Sequence, residues 1–106
     1  MTNTLQSRMA LRAAIAAAIL GLSAVSFAQS GEAVYKAHCQ SCHGATGTPS
    51  AGMVKLFSMK PASEYKASAA EEFNSVKNGK GRMKPFAGKL SDAEIKAAVE
   101  YFRTLK

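Results

Sequence analysis

The run His38-Cys39-Gln40-Ser41-Cys42-His43-Gly44 places two thiols three positions apart and an imidazole directly after the second. On a helical turn that spacing lets Cys39 and Cys42 each form a thioether with one vinyl group of a single porphyrin. His43 is then left under the iron as an axial nitrogen donor, so the run reads as a site for covalent attachment of a c-type haem. Two other chemistries use a similar pair. A thioredoxin-like redox pair needs a βαβ framework that this sequence does not offer, and a zinc site needs two more Cys or His ligands where His38 and His43 are the only histidines. A disulfide across so short a loop would constrain little of the unfolded chain. His38 falls on a different side of the turn from His43 and reads as an exposed polar residue.

A haem held on one side by His43 leaves its opposite face to a second donor, and the chain offers the triplet Met-Lys-Pro twice, at Met59-Lys60-Pro61 and at Met83-Lys84-Pro85. Distance along the chain does not separate them. Met59 lies 16 residues after His43, and extended chain at about 3.3 Å per residue reaches around a haem from there. Context does separate them. Met59 follows Val54, Leu56 and Phe57 in an apolar patch, where an unbranched thioether fills gaps in a core, and Met53 reads the same way. Met83 follows Asn78-Gly79-Lys80-Gly81, whose glycines permit positive φ and close backbone approach, and it precedes Pro85-Phe86 and a capped helix. A fixed loop of that kind presents one sulfur, so Met83 is the expected second axial ligand.

The elements that must position these groups read as helices. Residues 31 to 42 form one helix entering the haem site, with Gly31 and Tyr35 a turn apart on one face. The Gly- and Pro-containing stretch from Gly44 to Gly52 reads as a loop over the haem edge. Ser68-Ala69-Ala70-Glu71 has the form of a capping box, and Phe73 and Val76 share a face ahead of the stop signal Asn78-Gly79, which predicts a short helix from about 69 to 77. A second capping box, Ser91-Asp92-Ala93-Glu94, opens a last helix whose apolar face is Ile95, Ala98, Val99, Phe102 and Leu105. No segment alternates with period two for long, so no sheet of consequence is expected.

The first 28 residues read as a cleaved secretory signal. Arg8 and Arg12 precede an apolar run of 16 residues ending at Ala28, shorter than the roughly 20 a membrane span needs, and Ser26-Phe27-Ala28 has the small residues of a cleavage site. Residues 29 to 106 then form one domain of 78 residues with a net charge of +5, against +7 for the whole chain. A domain of that size buries a small fraction of its surface and needs a staple, which a prosthetic group supplies.

The stretches GEAVYKAHCQSCHG (31–44), VKNGKGRMKPFAGKLSDAEI (76–95) and AAVEYFRTLK (97–106), in that order, resemble the class I c-type cytochromes, the short soluble monohaem carriers of bacterial and algal type. The resemblance implies an all-α cytochrome c fold of three to four helices wrapped around one covalent haem c. It implies Cys39 and Cys42 as thioether donors, and His43 and Met83 as iron ligands. It also implies packing of Gly31 and Tyr35 against Tyr101, and a proline, here Pro49, whose carbonyl accepts the His43 ring N–H. Lys84 stands between Met83 and Pro85, where the family usually has Met-Pro directly.

The function implied is one-electron transfer in the periplasm by a monomer without bond-making catalysis. Lys77, Lys80, Arg82, Lys84 and Lys89, with no acid between Lys77 and Lys89, point to acidic-faced redox proteins or membrane oxidoreductases as partners. Nucleic acid is excluded by export and by the absence of interleaved aromatics in this loop. Two alternatives differ in chemistry or assembly: a gas-binding or peroxidatic haem protein, and a small haem subunit of a larger dehydrogenase or oxidase.

Overall fold

A computed structural model describes residues 30–106; the expected signal segment lies outside them. Five α-helices follow in order: α1 (Gly31–His38), α2 (Gln40–His43), α3 (Ala51–Phe57), α4 (Ala69–Asn78) and α5 (Asp92–Thr104), with a 3-10 turn at Ala62–Glu64 before α4. Among the described residues there is no strand. Two isolated bridges, Lys80 with Met83 and Ala87 with Leu90, are the only β-type pairings there. The all-α expectation holds, with more helical segments than the three to four predicted.

Both differences have local causes. The helix expected over 31–42 breaks at Cys39, whose φ of −119° departs from helical geometry while its N–H still bonds Tyr35 O, so a single turn residue separates α1 from α2. The second difference is α3, which occupies the end of the expected loop. Ser50 caps it by accepting a hydrogen bond from Met53 N. The sequence signal there is weak, because position 53 is Met rather than Glu or Gln and Gly52 sits in the first turn.

The other two helices start where the capping boxes place them. In α4 the Ser68 hydroxyl accepts from Glu71 N at 3.2 Å while Glu71 accepts from Ser68 N at 2.9 Å. Ser91 and Glu94 do the same at 3.1 Å in each direction for α5. Each box satisfies two otherwise orphaned donors, and a cap of this kind contributes about 1 kcal/mol.

The helices meet on a small core of Val34, Leu90, Ile95, Ala98 and Val99, with Phe73, Val76 and Phe86 packed against it. The closest crossing is α1 on α5. A Cβ on Gly31 would collide with the Ala97 carbonyl, so only glycine lets the two backbones approach this far. One turn later Tyr35, 1% exposed, lies with its ring 5.2 Å from that of Tyr101 and 6.2 Å from that of Phe102. The expected packing of Gly31 and Tyr35 on the last helix is therefore present. The apolar patch read at 54–57 is not core. Val54, Leu56 and Phe57 are 44%, 61% and 42% exposed on α3.

Candidate functional site: a cavity walled by thiols, imidazole and thioethers

A cavity of about 700 Å³ opens between α1, α2, α3, α4, α5 and the loop that carries Met83. That volume falls in the range of about 300–1,000 Å³ typical of cofactor sites. Cys39, Cys42, His43 and Met83 all line it, so the folded chain brings these four sequence-predicted residues to one place. Most of the remaining wall is apolar and aromatic, including Tyr65, Val76, Phe86, Leu90 and Phe102.

The two thiols are free. Burial, reinforced by the neighbouring Cys42, pushes the Cys39 thiol up to about 11. A catalytic CxxC pair instead works through a thiol whose pKa is lowered, so the environment speaks against a dithiol oxidoreductase. Among the described residues no group of three or more His, Cys, Asp or Glu side chains converges, and the zinc reading lacks its ligands.

His43 closes α2 and packs edge-on against two rings, Phe102 at 5.3 Å and Tyr65 at 6.4 Å. Burial holds its imidazole below its ordinary pKa, which favours the neutral ring that donates a lone pair to a metal. The backbone just beyond it is fixed by Tyr35, whose hydroxyl donates to Gly44 O at 2.6 Å. Gly44 turns there with φ 85°, and a Cβ at that position would collide with the Thr48 carbonyl. Burial of Tyr35 raises its phenol pKa to about 12.

Met83 sits on a minimal hairpin. Lys80 N donates to Met83 O at 3.1 Å and Met83 N donates to Lys80 O at 3.0 Å. Gly81, at φ 57°, holds the first central position, where a type II′ turn needs glycine. Gly79 precedes it at φ 80°, and a Cβ there would lie 2.9 Å from Met83 O and 3.1 Å from the Pro85 ring. Lys84 follows a Met83 whose two backbone bonds to Lys80 are both in place. Arg82 reaches across to α3, donating to Leu56 O at 2.6 Å with its guanidinium carbon 5.6 Å from the centre of the Phe57 ring.

Met59 and Met53 also line the cavity, which differs from the core-filling role read from the sequence. Met59 follows Ser58, a residue in the left-handed region at φ 54°, and no reciprocal pair of backbone bonds holds it among the described residues. His38 is exposed at the rim, its ring edge-on to Phe86 at 6.2 Å. Pro49 is buried but stands outside the cavity wall as the residue before the Ser50 cap. Among the described residues no hydrogen bond joins the His43 ring to it.

The family model described as cytochrome C oxidase, cbb3-type, subunit III matches residues 26–102. The chain belongs to this family and is a small c-type cytochrome. It is 36% identical over 72 residues to cytochrome c6 of Gracilaria tenuistipitata var. liui, covering 67% of this chain and 66% of that protein. It is 35% identical over 85 residues to the dihydro-heme d1 dehydrogenase of Pseudomonas aeruginosa, covering 78% of this chain and 16% of that protein. The cytochrome thus spans just under two thirds of the first relative and about a sixth of the second. The solved KustC0563 c-type cytochrome superposes with a TM-score of 0.66 at 29% identity, covering 74% of this chain and 99% of that one.

A c-type cytochrome carries covalent haem c with its iron, and the residues here fit the group. Two thiols stand at thioether spacing, an imidazole follows whose partial burial favours the neutral form, and methionine sulfurs and a largely apolar wall complete the same cavity. Tyr65 and Glu72 line the cavity but stood in no motif, and Met53 and Met59, the latter weighed as a ligand, read as core. The one available signal was helical spacing, which puts Glu72 on the face of Ser75 and Val76.

Proposed function

We propose that this electron-carrying cytochrome works in the periplasm as a one-electron shuttle between redox partners, with Cys39 and Cys42 as thioether donors and His43 and Met83 as the axial ligands. The observation that carries this reading is the Met83 hairpin. A sulfur donor whose backbone is bonded on both sides, on the same cavity as a half-buried imidazole whose pKa is held down, suits a site whose two axial positions stay filled. When bound, haem c supplies a one-electron iron couple whose ferrous state is favoured by thioether ligation.

The chain's own residues do the rest. Tyr35 anchors the backbone beyond His43, and Gly79 and Gly81 shape the Met83 turn. The aromatic wall keeps water away and leaves little to rearrange when the charge changes. Lys80 and Lys84 lie on the cavity rim, and no ion pair holds either among the described residues, whereas Lys77 pairs with Asp92 at 3.1 Å. The basic face offered to an acidic partner is therefore centred on Lys80 and Lys84, with Arg82 committed to α3.

A second reading, a haem subunit of a larger oxidoreductase, is favoured by one feature. Val54 and Leu56 are exposed on α3, next to Phe57 on the cavity wall, and such an apolar edge suits a lasting interface. Expression in the native host followed by gentle purification distinguishes the two: a free carrier elutes alone, a subunit with its complex at near-stoichiometric yield. The ligand assignment is checked on the purified holoprotein. A ferric sulfur-to-iron charge-transfer band together with no carbon monoxide uptake by the ferrous form supports two filled axial positions. Ready carbon monoxide binding would instead support a gas-binding or peroxidatic protein.

A further inference from the structure

Glu72 is the only carboxylate among the described residues that line the cavity, in a wall whose other charged groups, Lys80, Arg82 and Lys84, are cations. Its side chain is 10% exposed. Lys106 Nζ donates to Glu72 Oε1 at 2.6 Å, and Arg103 Nη1 lies 3.2 Å from Glu72 Oε2. The geometry of that second contact makes it an ion pair without a hydrogen bond, because Arg103 Nη1 aims at Ala67 O, 3.1 Å away, and Glu72 Oε2 is left buried with no donor directed at it. Lys106 Nζ also donates to Tyr65 O at 3.0 Å and stands 6.0 Å from the centre of the Phe102 ring. The three charges thus tie α4 to the end of α5 and to the loop that carries Tyr65, and both Tyr65 and Phe102 pack on His43.

Stability is a poor reason for such a cluster. Desolvating a carboxylate costs several kcal/mol, and hydrophobic residues of similar volume in place of a buried ion pair are often neutral or stabilising. What the cluster does supply is a fixed set of charges in a low-dielectric wall, where a unit charge acts more strongly and is screened less by salt than at the surface.

We propose that Glu72, with Arg103 and Lys106, sets the reduction potential of the haem site: the Glu72 charge stabilises the more positive ferric state, and the Lys106 charge opposes it. Glu72 acts here as a positioning and field-setting residue, without touching iron. The inference rests on the haem-site reading above. The couple involved is Fe(III) plus one electron from a one-electron donor giving Fe(II), so a fixed negative charge nearby lowers the potential and a fixed positive charge raises it.

The test is a mediated redox titration of the holoproteins carrying Glu72→Gln and Lys106→Gln. Glu72→Gln should raise the potential and Lys106→Gln should lower it, each by at least about threefold in the ferric-to-ferrous ratio, roughly 28 mV for one electron. The double variant should return towards the wild type. A merely structural cluster would loosen the cavity in both variants and move both potentials in the same direction, so shifts of one sign, or none, overturn the proposal. If Glu72→Gln does not fold, Lys106→Gln decides alone, since Glu72 keeps Arg103 in that variant: a lowered potential supports the proposal, and an unchanged or raised one overturns it. Covalent haem is verified first by the mass of the purified protein. Its absence would overturn the site reading and this inference together, whereas a bound haem indifferent to both charges would overturn this inference alone.

Discussion

Tyr35 holds the imidazole side of the site from a distance. Its buried hydroxyl meets one acceptor, Gly44 O, directly after His43. Tyr35→Phe should cost about 1 kcal/mol in a denaturant melt, the value of one hydrogen bond plus an acceptor left unmet. Its pH signature has a definite sign. The folded-state pKa is about 12 against 10.0 for an ordinary tyrosine, so the folded protein keeps a proton that the unfolded chain gives up. The stability this provides is complete below about pH 10 and is lost as pH rises towards 12. Wild type should therefore lose stability over that window and Tyr35→Phe should lose less; equal losses in the two proteins would contradict the assignment. At this scale the convergence of Cys39, Cys42 and His43 on one cavity wall was legible in the sequence, because their spacing is that of a haem-attachment run. Glu72 was not, because a single carboxylate beside a capping glutamate looks like any solvated helix face until the fold turns it towards the cavity.

Between elements, two glycines should separate cleanly by substitution. Gly79→Ala meets both a positive φ and the Met83 carbonyl at 2.9 Å, whereas Gly81→Ala meets a positive φ with nothing within 4 Å. Gly81→Ala should cost about 1–2 kcal/mol, the penalty for a Cβ in the left-handed region. Gly79→Ala should cost more, and it should also weaken the ferric sulfur band because the Met83 backbone must shift. Thermal melts and spectra of the two variants check this, and equal losses would show that the close contact does not matter. The capping boxes made α4 and α5 readable to within a residue or two. The break at Cys39 and the whole of α3 were not readable, because a kink at a helical residue leaves no compositional mark and α3 opens on Ser50 without a glutamate three residues on.

For the whole molecule, a small core surrounds a cavity of about 700 Å³, and that ratio predicts dependence on the prosthetic group. Cys39→Ala combined with Cys42→Ala, expressed in the same host and compartment as the wild type, should yield little helical protein by circular dichroism; a cooperatively melting apoprotein would contradict this. The charge pattern gives a second prediction at this scale. Lys80→Glu with Lys84→Glu should slow electron transfer with the natural partner at low salt and flatten its salt dependence, because steering acts over a Debye length of about 8 Å at physiological ionic strength. A rate indifferent to salt and to both substitutions would reduce the basic loop to a solvated surface. The sequence showed this loop as five equivalent cations, and only the fold distinguishes Lys77 on Asp92 and Arg82 on Leu56 from Lys80, Lys84 and Lys89, which no ion pair holds among the described residues.

The central claim, two axial positions filled by His43 and Met83, is tested most directly by Met83→Ala beside Met59→Ala, since both sulfurs line the one cavity. The account predicts that Met83→Ala abolishes the ferric sulfur-to-iron band and lets the ferrous protein take up carbon monoxide, while Met59→Ala leaves both as in the wild type. Loss of the band and uptake of carbon monoxide in Met59→Ala, with Met83→Ala unchanged, would contradict it.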